Sequence, residues 1–230
     1  MIFVTIGVLA LQGGFIEHVN LVRKAADQIN LNVKAIEVRT ADELSQCDGL
    51  IIPGGESTTI SFVAAQSGLL EPLRDFVKSQ KKHVWGTCAG LILLSDEANA
   101  TKKGGQELIG GLGVRVHRNH FGRQIESFES SMDLPFLGEG SAPFPGVFIR
   151  APVVEEILSG SRSDSDVQVL AKLPGRVNKM KTGVSQANTK DDSGDIIAVK
   201  QGKVLGMSFH PELTSDARIH AWWLKSIVGQ

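Results

Sequence analysis

The chain has 230 residues, 42% hydrophobic and 21% charged, with 24 Lys and Arg against 25 Asp and Glu. That balance suits a globular protein with a full core, and a net charge of −1 gives no general pull on nucleic acid or an anionic membrane. Two cysteines make no disulfide framework, which points to a reducing compartment, and the absence of tyrosine removes the phenol as an acid or base.

The stretch 1–11 is almost wholly apolar. No basic residues precede it, no small-residue cleavage site follows, and it falls well short of the ~20 residues that a membrane helix needs. Stopped by Gln12-Gly13-Gly14, it reads as a buried first strand, and a soluble cytoplasmic protein is expected. Further strand-like runs lie at 33–38, 49–52, 83–85, 113–116, 147–149, 167–173, 196–199 and 204–209. Helical stretches are expected at 16–30, 58–67, 70–80, 89–99 and 215–228, the last capped by Ser215.

Several of the strand runs are continuous rather than alternating, as in strands covered on both faces. Strand and helix alternate through the first half. The pattern predicts a doubly wound α/β fold: a mostly parallel sheet with helices on both faces, and later strands added antiparallel. The polar stretch 174–195 has no periodicity and reads as a long exposed loop. Neither a repeat nor a clear linker interrupts the chain, so one domain over 1–230 is expected.

The sharpest local motif is Gly86-Thr87-Cys88-Ala89-Gly90, between a short strand and the apolar run Leu91-Ile92-Leu93-Leu94. It is a cysteine version of the strand–nucleophile–helix elbow. The start of a helix sets positive potential and free N–H groups beside the sulfur, which favours thiolate. A buried structural cysteine is the plain alternative.

A nucleophilic cysteine needs a base, and the base needs an orienting group. The histidines are His18, His83, His117, His120, His210 and His220. His210 stands out, because it ends a strand and Glu212 follows across Pro211, close enough to fix the imidazole tautomer. A parallel strand there would bring His210 to the sheet edge where α/β proteins bind ligands. At the end of the 49–52 run, Pro53-Gly54-Gly55-Glu56-Ser57-Thr58-Thr59 exposes backbone N–H groups that suit an oxyanion hole or a ligand carboxylate, unless it is only a tight turn. It lacks the lysine of a phosphate loop.

Arg118 and Arg150 each follow a strand-like segment, where either a substrate carboxylate or a surface ion pair would suit them. His117 and His120 have no third ligand at useful spacing, so no metal site is expected. Cys47 reads as structural.

Together, P-G-G, G-T-C-A-G and H-P-E resemble the class I, triad-type glutamine amidotransferases. Four segments narrow the likeness: Gly7-Val8-Leu9-Ala10-Leu11-Gln12-Gly13, the Pro53–Thr59 stretch quoted above, Arg118-Asn119-His120-Phe121-Gly122-Arg123-Gln124, and Phe148-Ile149-Arg150-Ala151-Pro152. All four look like the glutaminase subunit family of the two-component pyridoxal 5′-phosphate synthases, whose members are shorter around 174–195.

The resemblance implies a flavodoxin-like fold and hydrolysis of L-glutamine to glutamate and ammonia. Ammonia would pass to a synthase subunit that makes pyridoxal 5′-phosphate, and this chain would need no cofactor or metal of its own. By the same resemblance, Cys88 is the nucleophile, His210 the general base and acid, and Glu212 its orienting partner. Gly55 and Ala89 supply the oxyanion hole. Gly55, Glu56, Ser57, Arg118, Ile149 and Arg150 line the glutamine pocket, and Gln12 couples the partner subunit to the hole. The rival expectations are a cysteine hydrolase on the same elbow, a non-catalytic regulatory subunit, and a glutaminase serving another synthase.

Overall fold

The computed structural model describes residues 3–99, 106–118, 127–159, 165–173 and 194–229. Among these, a ten-stranded sheet carries the fold. Its order is β2 (Asn32–Val38), β1 (Phe3–Leu9), β3 (Gly49–Ile52), β4 (His83–Thr87), β12 (Val204–Met207), β11 (Asp195–Gln201), β9 (Val153–Ile157), β6 (Leu112–His117) and β5 (Ser95–Ala98), with β10 (Gln168–Leu173) also paired to β11. The five strands from β2 to β12 run parallel, and β11 turns antiparallel to β12 and β9. The expected doubly wound, mostly parallel sheet is therefore present, with its antiparallel additions on one side.

Neighbouring strand residues point to opposite faces, and each face has its own core. Ile51 and Trp85 face the layer of α1 (Phe15–Gln28) and α6 (Arg218–Val228). Leu50, Ile52 and Val84 face α3 (Ser57–Gln66), α4 (Leu70–Lys78) and α5 (Ala89–Leu94). In α1, His18, Val19, Leu21, Val22, Ala25 and Ala26 form the buried stripe, with the spacing of a helix that covers a sheet. The other face also holds a short α2 (Ala41–Ser45), begun by a capping box between Thr40 and Glu43. Cys47, just beyond it, is fully buried and bonds the Glu43 carbonyl at 3.3 Å.

Three expectations need correction. The helix expected over 89–99 stops at Leu94, and Ser95 is extended, at φ −68° and ψ 148°. From there the chain runs beside β6, where Glu97 is opposite Arg115 and pairs with it at 2.6 Å, so sheet pairing overrides helical continuation. The last helix begins at Arg218 instead of 215, because Asp216 Oδ1, not Ser215, accepts the Arg218 N–H at 3.0 Å. A separate hairpin of β7 (Ser127–Met132) and β8 (Phe144–Ile149) was expected only over 147–149. The polar sequence SFESSM hides β7, whose Phe128 stacks on Phe148 with ring centroids 4.7 Å apart. The polar stretch at 174–193 lies outside the described residues.

Candidate active site

The C-terminal ends of β1, β3, β4 and β12 meet at one edge of the sheet, and the candidate residues hang from the turns that follow. Cys88, at the tip of β4, has φ 46° and ψ −100°, a conformation that strains any residue with a Cβ. Its backbone N–H donates to Met207 O at 2.8 Å and its carbonyl accepts from Ile92 N at 3.2 Å, so both sides of the turn are tied down. The flanking glycines permit the turn. A Cβ on Gly86 would run into the Gly90 carbonyl group, and one on Gly90 would strike the Ile52 carbonyl oxygen. Ala89 then opens α5, whose first-turn N–H groups have no intrahelical partner.

His210 follows β12 and is anchored by its backbone N–H to Val147 O at 2.8 Å. Its Nδ1 is 2.8 Å from Glu212 Oε1, and both residues are buried, at 8% and 4% exposure. Burial works against a charged imidazole, but the neighbouring Cys88 sulfur and the Glu212 carboxylate push the His210 pKa up to about 10. Burial likewise opposes ionisation of Glu212, yet His18 and His210 hold its carboxyl well below the usual carboxylate range. Cys88, 6% exposed, has the Ile149 carbonyl 3.9 Å from its sulfur, so the β8 end roofs the nucleophile.

The Pro53-Gly54-Gly55 turn packs directly on this pair. A Cβ on Gly54 would collide with the His210 ring. The turn is also bound to the segment after β1: Gly14 N donates to Gly54 O at 3.0 Å, and Gln12 Oε1 accepts from Glu56 N at 2.7 Å. Gln12 thus touches the strand-end loop that carries Gly55. Arg118 Nη2 donates to Ser57 Oγ at 3.1 Å and lies 3.8 Å from Glu56 Oε1, which gathers three expected pocket residues into one cluster. Arg150, exposed and at φ 45°, stands beside the roof formed by Ile149.

The structure therefore brings Cys88, His210, Glu212, Gly55, Ala89, Glu56, Ser57, Arg118, Ile149, Arg150 and Gln12 to the same sheet edge. His120 and the rest of its segment after Arg118 lie outside the described residues. His83 is at the start of β4, the opposite end of that strand from Cys88, and His117 ends β6 beside Arg118. Among the described residues no group of three or more His, Cys, Asp or Glu is placed to hold a metal ion. Nor is any helix among them long and apolar enough to cross a membrane. Sequence reasoning missed that His18 reaches this site: its Nε2 is 3.3 Å from Glu212 Oε2. The available signal was a histidine on the apolar face of α1, in register with Leu21 and Val22.

A strained cysteine at an elbow, backed by a buried His–Glu pair, supports acyl transfer through a thioester, and the glycine turn beside it suits a carboxamide substrate. Comparison with known proteins narrows the class, because the model of the SNO glutamine amidotransferase family matches residues 8–229. The chain belongs to that family. The match spans the whole site, from Gln12 to Glu212. A probable pyridoxal 5′-phosphate synthase subunit PDX2 of Arabidopsis thaliana is 46% identical over 229 residues, covering 96% of this chain and 85% of that protein. The pyridoxal 5′-phosphate synthase subunit PdxT of Pyrococcus furiosus is 41% identical, covering 98% of this chain and all of that one. Subunit SNO1 of Saccharomyces cerevisiae is 41% identical over 97% of this chain and 93% of its own. A crystal structure of a glutamine amidotransferase superposes with a TM-score of 0.72 at 39% identity, covering 98% of this chain. The fold and the glutamine amidotransferase assignment thus agree.

Proposed function

We propose that Cys88, His210 and Glu212 carry the glutamine hydrolysis of this amidotransferase. The chain acts as one glutaminase domain and serves as the glutaminase subunit of a pyridoxal 5′-phosphate synthase, handing ammonia to a synthase subunit in the cytoplasm. One observation carries the assignment of roles: a cysteine at φ 46° stands at a helix start, at the same sheet edge as a buried histidine whose Nδ1 is 2.8 Å from a carboxylate.

The imidazole held cationic beside Cys88 favours a thiolate–imidazolium pair. The thiolate attacks the side-chain amide carbon of glutamine, and the carbonyl electron pair moves onto oxygen. The Gly55 and Ala89 N–H groups bind that oxyanion. As the tetrahedral species collapses, the carbon–nitrogen bond breaks and His210 gives its Nε2 proton to the departing nitrogen, which leaves as ammonia. Water, losing a proton to the same nitrogen, then cleaves the thioester and restores Cys88 with release of glutamate. Ser57, Arg118 and Arg150 face the amino-acid end of the substrate, where a guanidinium suits its carboxylate. Gln12, bonded to the loop that carries Gly55, transmits docking of the synthase subunit to the oxyanion hole. Losing one donor of such a hole typically costs about 10²–10³ in rate, enough to gate the reaction.

The test is glutamate release from L-glutamine with and without the synthase subunit. We expect release that depends on the partner, and its loss to background in Cys88→Ala. Turnover retained by Cys88→Ala in the complete complex would overturn the assignment. Silence of the parent protein in a formed complex would favour a regulatory subunit instead.

A further inference from the structure

Behind Glu212 lie two histidines that the steps above do not use. His18, from α1, is fully buried, with Nε2 3.1 Å from Thr87 Oγ1 and 3.3 Å from Glu212 Oε2. Its Nδ1 is 2.9 Å from Nε2 of His220, a fully buried residue of α6 whose own Nδ1 finds no hydrogen-bond partner among the described residues. Both rings pack on Trp85 of β4, with centroids 5.5 and 4.8 Å away. His18 thus touches the residue just before the nucleophile and the carboxylate behind the base. It bridges the two halves of the site from below.

Hydrogen-bond accounting settles which nitrogen of His18 carries a proton. Glu212 Oε1 is occupied by His210, whereas Oε2 has no hydrogen-bond partner among the described residues, His18 Nε2 standing 3.3 Å away as an ion-pair contact. A bare Nε2 lone pair would leave a buried carboxylate oxygen facing a second acceptor, an arrangement that strongly disfavours the ion. A proton on Nε2 instead lies between two acceptors, the Thr87 hydroxyl and Oε2. Nδ1 is then met by Nε2 of His220, which burial keeps neutral by lowering its pKa well below the usual value.

We propose that His18 is a positioning residue of the triad, presenting an Nε2 proton to Glu212 Oε2 and held in that state by His220. It acts through Glu212: a proton on Nε2 facing Oε2 opposes swinging of the carboxyl plane, so that His210 stays aimed at Cys88. The proposal rests on the reading in which Cys88, His210 and Glu212 perform the hydrolysis.

Two side-chain replacements separate this role from packing. Glutamine carries its amide to where the imidazole Nε2 lies, whereas asparagine stops at the Nδ1 position. His18→Gln should keep a kcat close to the parent's in the complex with the synthase subunit, counted per Cys88 that takes up an alkylating agent. His18→Asn should lose about 10- to 100-fold in kcat with KM for glutamine little changed. Equal kcat in both variants, or a loss shared by both in step with their stability, would overturn the proposal.

Imidazole nitrogen spectra of the unmutated chain test it independently of any variant: a proton on His18 Nε2 is expected, and the Nδ1–H tautomer would overturn it. Activity in Cys88→Ala, by contrast, would sink the underlying reading and not this contact.

Discussion

A cysteine in the left-handed region is held there by its surroundings, and at this site the same surroundings set its chemistry. The His210 pKa rises from the ordinary 6.5 to about 10 beside Cys88 and Glu212. A folded-state pKa raised above the unfolded one adds stability that is complete below about pH 6.5 and is lost as pH climbs through about 10. Glu212→Gln removes one of the two groups that raise it. The variant should therefore complete its alkaline loss of stability at lower pH than the parent and lose less in total, as followed by urea unfolding across pH 7 to 11. Its kcat should drop by about 10²–10⁴-fold, because the base loses its orienting partner. An unchanged alkaline limb would mean that Glu212 does not hold the imidazolium.

At the scale of elements, the site depends on how closely strand, turn and helix approach one another. Gly86 and Gly90 let the β4 turn pass α5 and the Ile52 carbonyl without a side chain between them. Gly90→Ala would force β3 and α5 apart and should destabilise the fold by roughly 1–3 kcal/mol, measurable as a lower urea midpoint with an unchanged slope. These contacts explain why part of the site was legible in the sequence. The glycines around Cys88, the strand-end His210 and the Pro-Gly-Gly turn each follow a local rule, and their strands are parallel and adjacent, so local motifs converge in space. The rest was not local. Glu97 and Arg115 pull a chain with helical pattern into β5, and β7 shows no apolar alternation because its two apolar side chains lie four residues apart, Phe128 met by Phe148 from the other strand of the hairpin and Met132 buried in the core. His18 looked like any core position because its meaning comes from Glu212, 194 residues later in the chain (212 − 18).

Across the whole molecule, the response to acid should come from histidines before it comes from carboxylates. Burial, helped by Lys203 and Lys200, pushes the His83 pKa down to about 4, and His220 is lowered as well. The unfolded chain takes up these protons near pH 6.5 while the folded protein resists them, so stability should fall as pH drops from about 6.5 towards 4. His83→Gln should flatten that decline, and an unaltered decline would remove His83 as its source. The chain's two thiols stand in different settings. Cys47, sealed behind α2, has its pKa pushed up to about 11 by burial and by Asp48, so it stays protonated and shielded. Cys88 lies at the sheet edge beside a cationic imidazole. The native protein is thus a natural single-label molecule. Mass spectrometry should find one iodoacetamide adduct per folded chain, on Cys88, and two after denaturation, so that a fluorophore or spin label attached without mutagenesis would report from the reaction centre alone.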